Sequence, residues 1–280
     1  MGFRLAAGLT LLVLVGAIVA AYLAAHNAIS SRVPAGSGQT IAAYQNLVNV
    51  DDQNAIATWS APCDTSTHTG CQADATRAIV ALQQWLDDLN RSEPPARFLV
   101  VDAQLRLHLS GSIAALNALI AASQANDSNA MDRAYMLGLA GRIWTDTVIP
   151  SIVASKQVDA VAYVNSVRDE GNAMTSCTSC QILFGPTNLD CSQSQAPTCQ
   201  DLLDNTAGPV EGFQSALVAS SAPASLSAAD TRLQQDLAQA DSALIAMSTA
   251  LSRGDQAGFN AGRDTLRSAF SAVSRDVAAI

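Results

Sequence analysis

Cys177 and Cys180 stand in the run SCTSCQ, a C-x-x-C spacing. Such a pair can form a structural disulfide, act as a redox dithiol whose sulfur has a lowered pKa, or supply half of a metal site. A structural disulfide is the expected use, either Cys177–Cys180 or a pairing reshuffled with Cys191 and Cys199. The redox alternative lacks its usual βαβ setting in this sequence. The metal alternative would draw four thiolates from C-x2-C-x10-C-x7-C, whose second half lacks the tight hook of a zinc knuckle. Haem attachment is excluded, because Gln181 stands where C-x-x-C-H needs histidine.

The other four cysteines fall into two runs of equal spacing, CDTSTHTGC from Cys63 to Cys71 and CSQSQAPTC from Cys191 to Cys199. Cys63–Cys71 and Cys191–Cys199 are therefore the expected disulfides. Closing a nine-residue loop stabilises by roughly 2.6 kcal/mol in the chain-entropy model.

Little else suggests catalysis. The three histidines are His26, His68 in the first cysteine loop, and His108 in a helical stretch. His108 reads as a polar helix flank and His68 as a solvated loop residue. The glutamates are Glu93, Glu170 and Glu211, and no Glu-x-x-His of a di-iron bundle occurs. No G-x-S-x-G, H-E-x-x-H, phosphate loop or dinucleotide fingerprint is present. Trp59, Trp85 and Trp144 read as core anchors. No enzyme, cofactor or metal site is expected, and the sequons at Asn90 and Asn126 are weak three-residue patterns.

The elements that carry these residues show an internal repeat. Shifting the chain by 128 residues aligns Cys63 with Cys191, Cys71 with Cys199, Trp85 with Phe213, Pro95 with Pro223, Asp102 with Asp230 and Asp127 with Asp255. Sixteen of the sixty-five positions from 63 to 127 are identical, with no gap. Leu105, Leu109, Ser112, Leu116 and Leu119 form an apolar seam at helical spacing, and Leu233, Leu237, Ala240, Leu244, Met247 and Leu251 form its counterpart. Each seam helix follows a proline, and Asp127 or Asp255 is placed to cap the helix after it. Further helices are expected near 40–59 and 151–175, and around Trp85 and Phe213. The last of these should break or kink at Gly208 and Pro209.

The expected fold is all-α, with an N-terminal transmembrane helix followed by two tandem duplicated antiparallel helical bundles. Its parts are a cytoplasmic stub at 1–4, a signal anchor at 5–25, a flexible linker at 26–40, a first bundle at 41–150 and a second at 151–280. Residues 5–25 carry no charge, and at about 1.5 Å per residue they match a bilayer core of about 30 Å. Removal as a signal peptide, giving a secreted protein, is the alternative.

The chain has 280 residues, only 14% charged and 5% aromatic, and a net charge of −9. No basic footprint for nucleic acid is visible. An even number of cysteines suits an oxidising compartment. The expectation is therefore a membrane-anchored extracytoplasmic helical protein, a binding or structural cell-surface module whose specific activity is not readable. Its partners would be the membrane, through the N-terminal helix, and another membrane or cell-surface protein. The alternatives are a sensory or accessory subunit of a membrane complex, and an exported thiol-redox or metal-binding protein using Cys177 and Cys180. The Ala-rich, Lys-poor composition fits a bacterium of high GC content.

Overall fold

The computed structural model of the chain describes residues 39–59, 70–185, 189–191 and 195–280. Among these the chain is all-α. Nine α-helices are described: α1 Ile41–Trp59, α2 Cys71–Arg91, α3 Leu99–Gln124, α4 Ser128–Val153, α5 Ala160–Ser176, α6 Thr178–Phe184, α7 Ala196–Ala219, α8 Ser227–Ser252 and α9 Gln256–Ala279. A 3-10 turn at Ala96–Phe98 precedes α3. Two short strands, β1 Lys156–Gln157 and β2 Ser220–Ser221, pair in parallel and tie the α4–α5 link to the α7–α8 link. The apolar run at 5–25 lies outside the described residues, as do His26, Cys63 and His68.

Helix α1 packs on α2, α2 on α3, α3 on α4, and α4 back on α1. The same ring is closed by α5, α7, α8 and α9, with α6 lying against α5, α7 and α9. Each ring encloses one hydrophobic cluster. The two seams lie inside them: Leu105 and Leu109 are fully buried, as are Leu233, Leu237, Ala240 and Met247. Burying one leucine in this way contributes roughly 1.5–3 kcal/mol, so the seams are the main reason these helices dock. Ala96–Gln124 is also long and apolar enough to cross a membrane by length and composition. Its apolar residues are taken up by α2, α4 and α8 instead.

Helix α3 and helix α8 begin and end 128 residues apart. Phe98 and Leu226 donate their N–H groups to the carbonyls of Pro95 and Pro223, each at 2.8 Å. At the far ends Asn126 (φ 52) and Gly254 (φ 69) take the left-handed conformation. There the N–H of Asp127 reaches the Ala122 carbonyl at 3.0 Å and that of Asp255 the Ala250 carbonyl at 2.9 Å, the closing bonds of a Schellman-type turn. The Asp127 carboxylate then accepts from Ala130 N–H at 3.0 Å, and the Asp255 carboxylate from Gly258 N–H at 2.9 Å. These caps satisfy amides that the first turn of α4 or α9 leaves open.

Two expectations are corrected. Helix α7 runs unbroken through Gly208 and Pro209, since packing of α7 against α4, α5 and α8 outweighs the hydrogen bond that proline removes. The first helix of the second ring starts at Ala160, not near residue 151. Residues 151–153 complete α4, which continues through Pro150.

Candidate functional site

Where the two rings meet, α3 and α4 pack against α7 and α8. Four-residue spacing puts Gln104 and His108 on one face of α3, and Asp241 enters from α8. His108 Nε2 lies 2.8 Å from Asp241 Oδ2, and Gln104 donates to the same oxygen at 3.3 Å. Trp144 on α4 covers the imidazole from the other side, its ring stacked at 4.2 Å and 13°. The indole N–H donates to Gln214 Oε1 on α7 at 3.1 Å, and the Gln214 amide donates to the Leu237 carbonyl on α8 at 3.2 Å. All five side chains are buried, and every helix at the joint contributes at least one.

Gly141 makes the stacking possible. A Cβ at this position would overlap Ser112 Oγ and stand 3.3 Å from the His108 carbonyl oxygen. With no side chain there, α4 approaches α3 closely enough for Trp144 to reach the imidazole.

Glu211, one turn before Gln214 on α7, shares the electrostatics of the joint. Burial first, and then the Asp241 carboxylate, push its carboxyl up to about 7, with His108 opposing and Asp204 adding a little. The joint thus holds a carboxyl that exchanges its proton near neutral pH beside a buried His–Asp pair. Such an arrangement can store or release a proton and change the attraction between the two rings.

His108 corrects an expectation. It is 6% exposed, not a polar flank, because α4 and α8 cover both sides of α3 there. Asp236, the position 128 residues on, is partly buried beside Asp276 on α9 and makes no equivalent contact. Trp85 and Trp144 are core residues as expected; Trp59 lies in α1.

A second pair of polar contacts was missed from sequence. Tyr44 Oη donates to Asp102 Oδ1 at 2.9 Å, and Tyr163 Oη donates to Asp230 Oδ1 at 2.7 Å. Each bond ties the first helix of a ring to its seam helix. Asp102 also accepts from Arg106 Nε at 2.7 Å, whereas Asp230 accepts from the Gln234 amide at 2.8 Å. Burial pushes the Asp102 carboxyl up, and Arg106 and Tyr44 pull it back. Burial and then Asp230 push the Tyr163 phenol well up, so it stays a donor. The signal was present in Tyr-x-x-x-Val at 44–48 and 163–167.

The cysteines are distributed as follows. Cys191 and Cys199 are bonded with Cα atoms 5.8 Å apart, and both are buried in the second core. Cys177 and Cys180 are bonded with Cα atoms 5.2 Å apart. Cys71, at the start of α2, is disulfide-bonded; Cys63, its expected partner, lies outside the described residues. Cys177 ends α5 and precedes α6, half-buried, whereas Cys180 is fully buried. Arg263 on α9 fixes the far end of α6, its guanidinium donating to the carbonyls of Leu183 and Gly185 at 2.6 Å each. Among the described residues no group of three or more His, Cys, Asp or Glu side chains could hold a metal ion.

No protein-family model matches this chain, and neither a curated protein nor a solved structure matches it.

Proposed function

We propose that the chain is an extracytoplasmic helical module, held to a membrane by residues 5–25, that acts by binding or as a structural component of the cell surface. The observation that carries this reading is the state of the cysteines: among the described residues none is free. Disulfides on this scale belong to oxidising compartments, and the uncharged run at 5–25 supplies the means of staying at the membrane. The reading is tested on membranes from cells making the full chain. It requires the chain to resist alkaline carbonate extraction and to be cut within residues 39–280 by protease added from outside. Release by carbonate, or protection of those residues until the membrane is lysed, would refute it.

The body of the module is two copies of one four-helix unit. Equal limits of α3 and α8, matched caps at Asp127 and Asp255, and matched Tyr–Asp bonds support this reading. The first helices, α1 and α5, start 119 residues apart and the seam helices 128 apart. The nine extra residues fall between the first and second helices of the second copy, where α6 and its cysteine pair stand. The contact between copies is used once. At the joint Ser215 Oγ on α7 donates to the Thr147 carbonyl on α4 at 3.2 Å, and the Val218 carbonyl on α7 accepts from Ser155 Oγ in the α4–β1 link. The corresponding positions of the outer helices carry Asp87, Asn90 and Arg275, which discourages a further copy from stacking on. The joint also keeps open the accessory or sensory role, in which the module shifts between two packings of its copies. Co-purification of a second membrane protein would favour that role.

One observation favours the thiol-exchange alternative. The Cys177–Cys180 disulfide joins no two helices to one another, and of the two residues Cys180 is fully buried whereas Cys177 is half-buried. Exchange would proceed by attack of an external dithiol on Cys177 Sγ, release of the Cys180 thiolate, and oxidation of the dithiol as the pair is reduced. A Cys180→Ser variant that traps a mixed disulfide through Cys177 would support it, and one that traps none would dismiss it.

A further inference from the structure

One end of the helical unit differs in chemistry from the rest. It gathers the start of α1, the α2–α3 link, the end of α4 with β1, the start of α5, and β2. Hydrogen bonds bind these segments to each other. Gln39 N–H donates to the Glu93 carbonyl at 3.0 Å, the Gln45 amide to the Ile152 carbonyl at 2.8 Å, and Val158 N–H to the Ser221 carbonyl at 3.4 Å. The surface of this end carries Ile41, Val153 and Val161, which are 40%, 38% and 70% exposed, among exposed alanines. Its exposed or linking segments carry Lys156 and Arg97 beside Glu93 and Asp159, in a chain of net charge −9, and the buried Asp230 carboxylate acts on Arg97. Lys156 is the only lysine in the sequence and is exposed. The Asp159 carboxylate is turned to its own helix, where it accepts from Ala162 N–H at 2.8 Å.

The described unit starts at Gln39, at this same end, and thirteen residues, 26–38, separate it from the apolar run that closes at Ala25. Thirteen residues reach at most about 45 Å when fully extended. A bilayer entered by residues 5–25 therefore lies within tether length of Ile41 and Val161, which raises its effective concentration there.

We propose that this end docks on the headgroup layer of that bilayer. Val161, Ile41 and Val153 enter the interface, and Lys156 meets anionic lipid phosphate. The proposal rests on the anchor reading of residues 5–25. An isolated lysine and three aliphatic side chains bind weakly on their own, and two weak signals act together with a tether. The remainder of the surface, acidic overall, is repelled by an anionic leaflet, which leaves this end as the favoured approach.

The test uses the full chain reconstituted into vesicles of phosphatidylglycerol and brominated phosphatidylcholine, with Val161→Trp as the depth probe. Val80→Trp, on an exposed position of α2 (61% exposed), is the control. An alkaline carbonate wash followed by flotation reads the anchor separately. Docking requires quenching of the Val161→Trp signal at least threefold above the control, and loss of most of that excess on adding Lys156→Glu or 0.5 M salt. If the chain floats but the two probes are quenched alike, docking is wrong and the anchor stands. If the chain washes off, both fall. If Val161→Trp is shielded equally in lipid-free detergent, in proportion to protein concentration, a second copy covers this end and the lipid proposal is overturned.

Discussion

His108 Nε2 on α3 lies 2.8 Å from Asp241 Oδ2 on α8, with both side chains 6% exposed and the two residues 133 positions apart in sequence. This contact joins the first four-helix ring to the second, and it has no counterpart elsewhere in the described residues. Removing either partner leaves a buried polar group short of a hydrogen bond, at about 1–3 kcal/mol. Asp241→Asn and His108→Gln should each lower stability by that amount in denaturant unfolding at pH 7. The double variant should cost clearly less than the sum. Strict additivity of the two would mean that the pair is not coupled.

The pH dependence follows from Glu211. Its carboxyl is raised from an ordinary value near 4.5 to about 7. The folded state therefore holds a proton that the unfolded chain releases between these values. Stability from this group is complete below pH 4.5 and is lost as pH rises through 7. Asp51 and Asp52, each raised to about 6 chiefly by burial, act in the same direction. Stability should thus fall from pH 5 to pH 8. Glu211→Gln should flatten the upper part of that fall, making the variant more stable than the natural chain at pH 8 by on the order of 1 kcal/mol. Parallel curves for the two proteins would show that Glu211 ionises normally.

Two glycines on α4 separate packing from helix propensity. Gly141→Ala places a methyl group against Ser112 and the backbone of α3, and overpacking of this kind costs about 1–3 kcal/mol. It should also change the near-ultraviolet circular dichroism of Trp144, whose stacking on His108 depends on the close approach. Gly138→Ala meets only the Ala115 methyl at 3.8 Å, an ordinary contact, and should stabilise the helix by about 0.5–1 kcal/mol. Equal effects at the two sites would mean that α3 and α4 do not approach as described.

The two described disulfides should differ in their worth. Cys191–Cys199 closes a nine-residue loop and ties the α6–α7 link to the start of α7, so its removal by paired Ser substitutions should cost about 2.6 kcal/mol. Cys177–Cys180 closes four residues and should cost less, about 1.9 kcal/mol in the same chain-entropy estimate. Thermal unfolding of the two double variants gives the order directly. A larger loss from Cys177 and Cys180 would point to a role for α6 in holding the second ring together.

Much of the fold was legible because it rests on local rules. The seams were visible in leucines recurring at three and four residues, and the caps in Asp127 and Asp255 following polar breaks. The joint was not legible. His108 and Asp241 are far apart in sequence, and no local pattern marks an imidazole that another helix will cover. The offset of 128 drew attention away from His108, since it equates that residue with Asp236 rather than with its partner. Glu211 carried no signal either: its raised proton affinity comes from burial at the joint and from the Asp241 carboxylate on α8. Pro209 misled for a related reason, because local propensity cannot register the packing that holds α7 continuous. The start of α5 was misplaced because α4 absorbs Pro150 and turns only at Ala154.

The most direct test of an oxidised, membrane-held module is a non-reducing peptide map of the full chain, purified from membranes with thiols alkylated at lysis. All six cysteines should be recovered unalkylated, with Cys191 linked to Cys199, Cys177 to Cys180 and Cys71 to Cys63. Alkylated Cys177 and Cys180 beside intact bridges elsewhere, or a chain recovered with free thiols throughout, would contradict it.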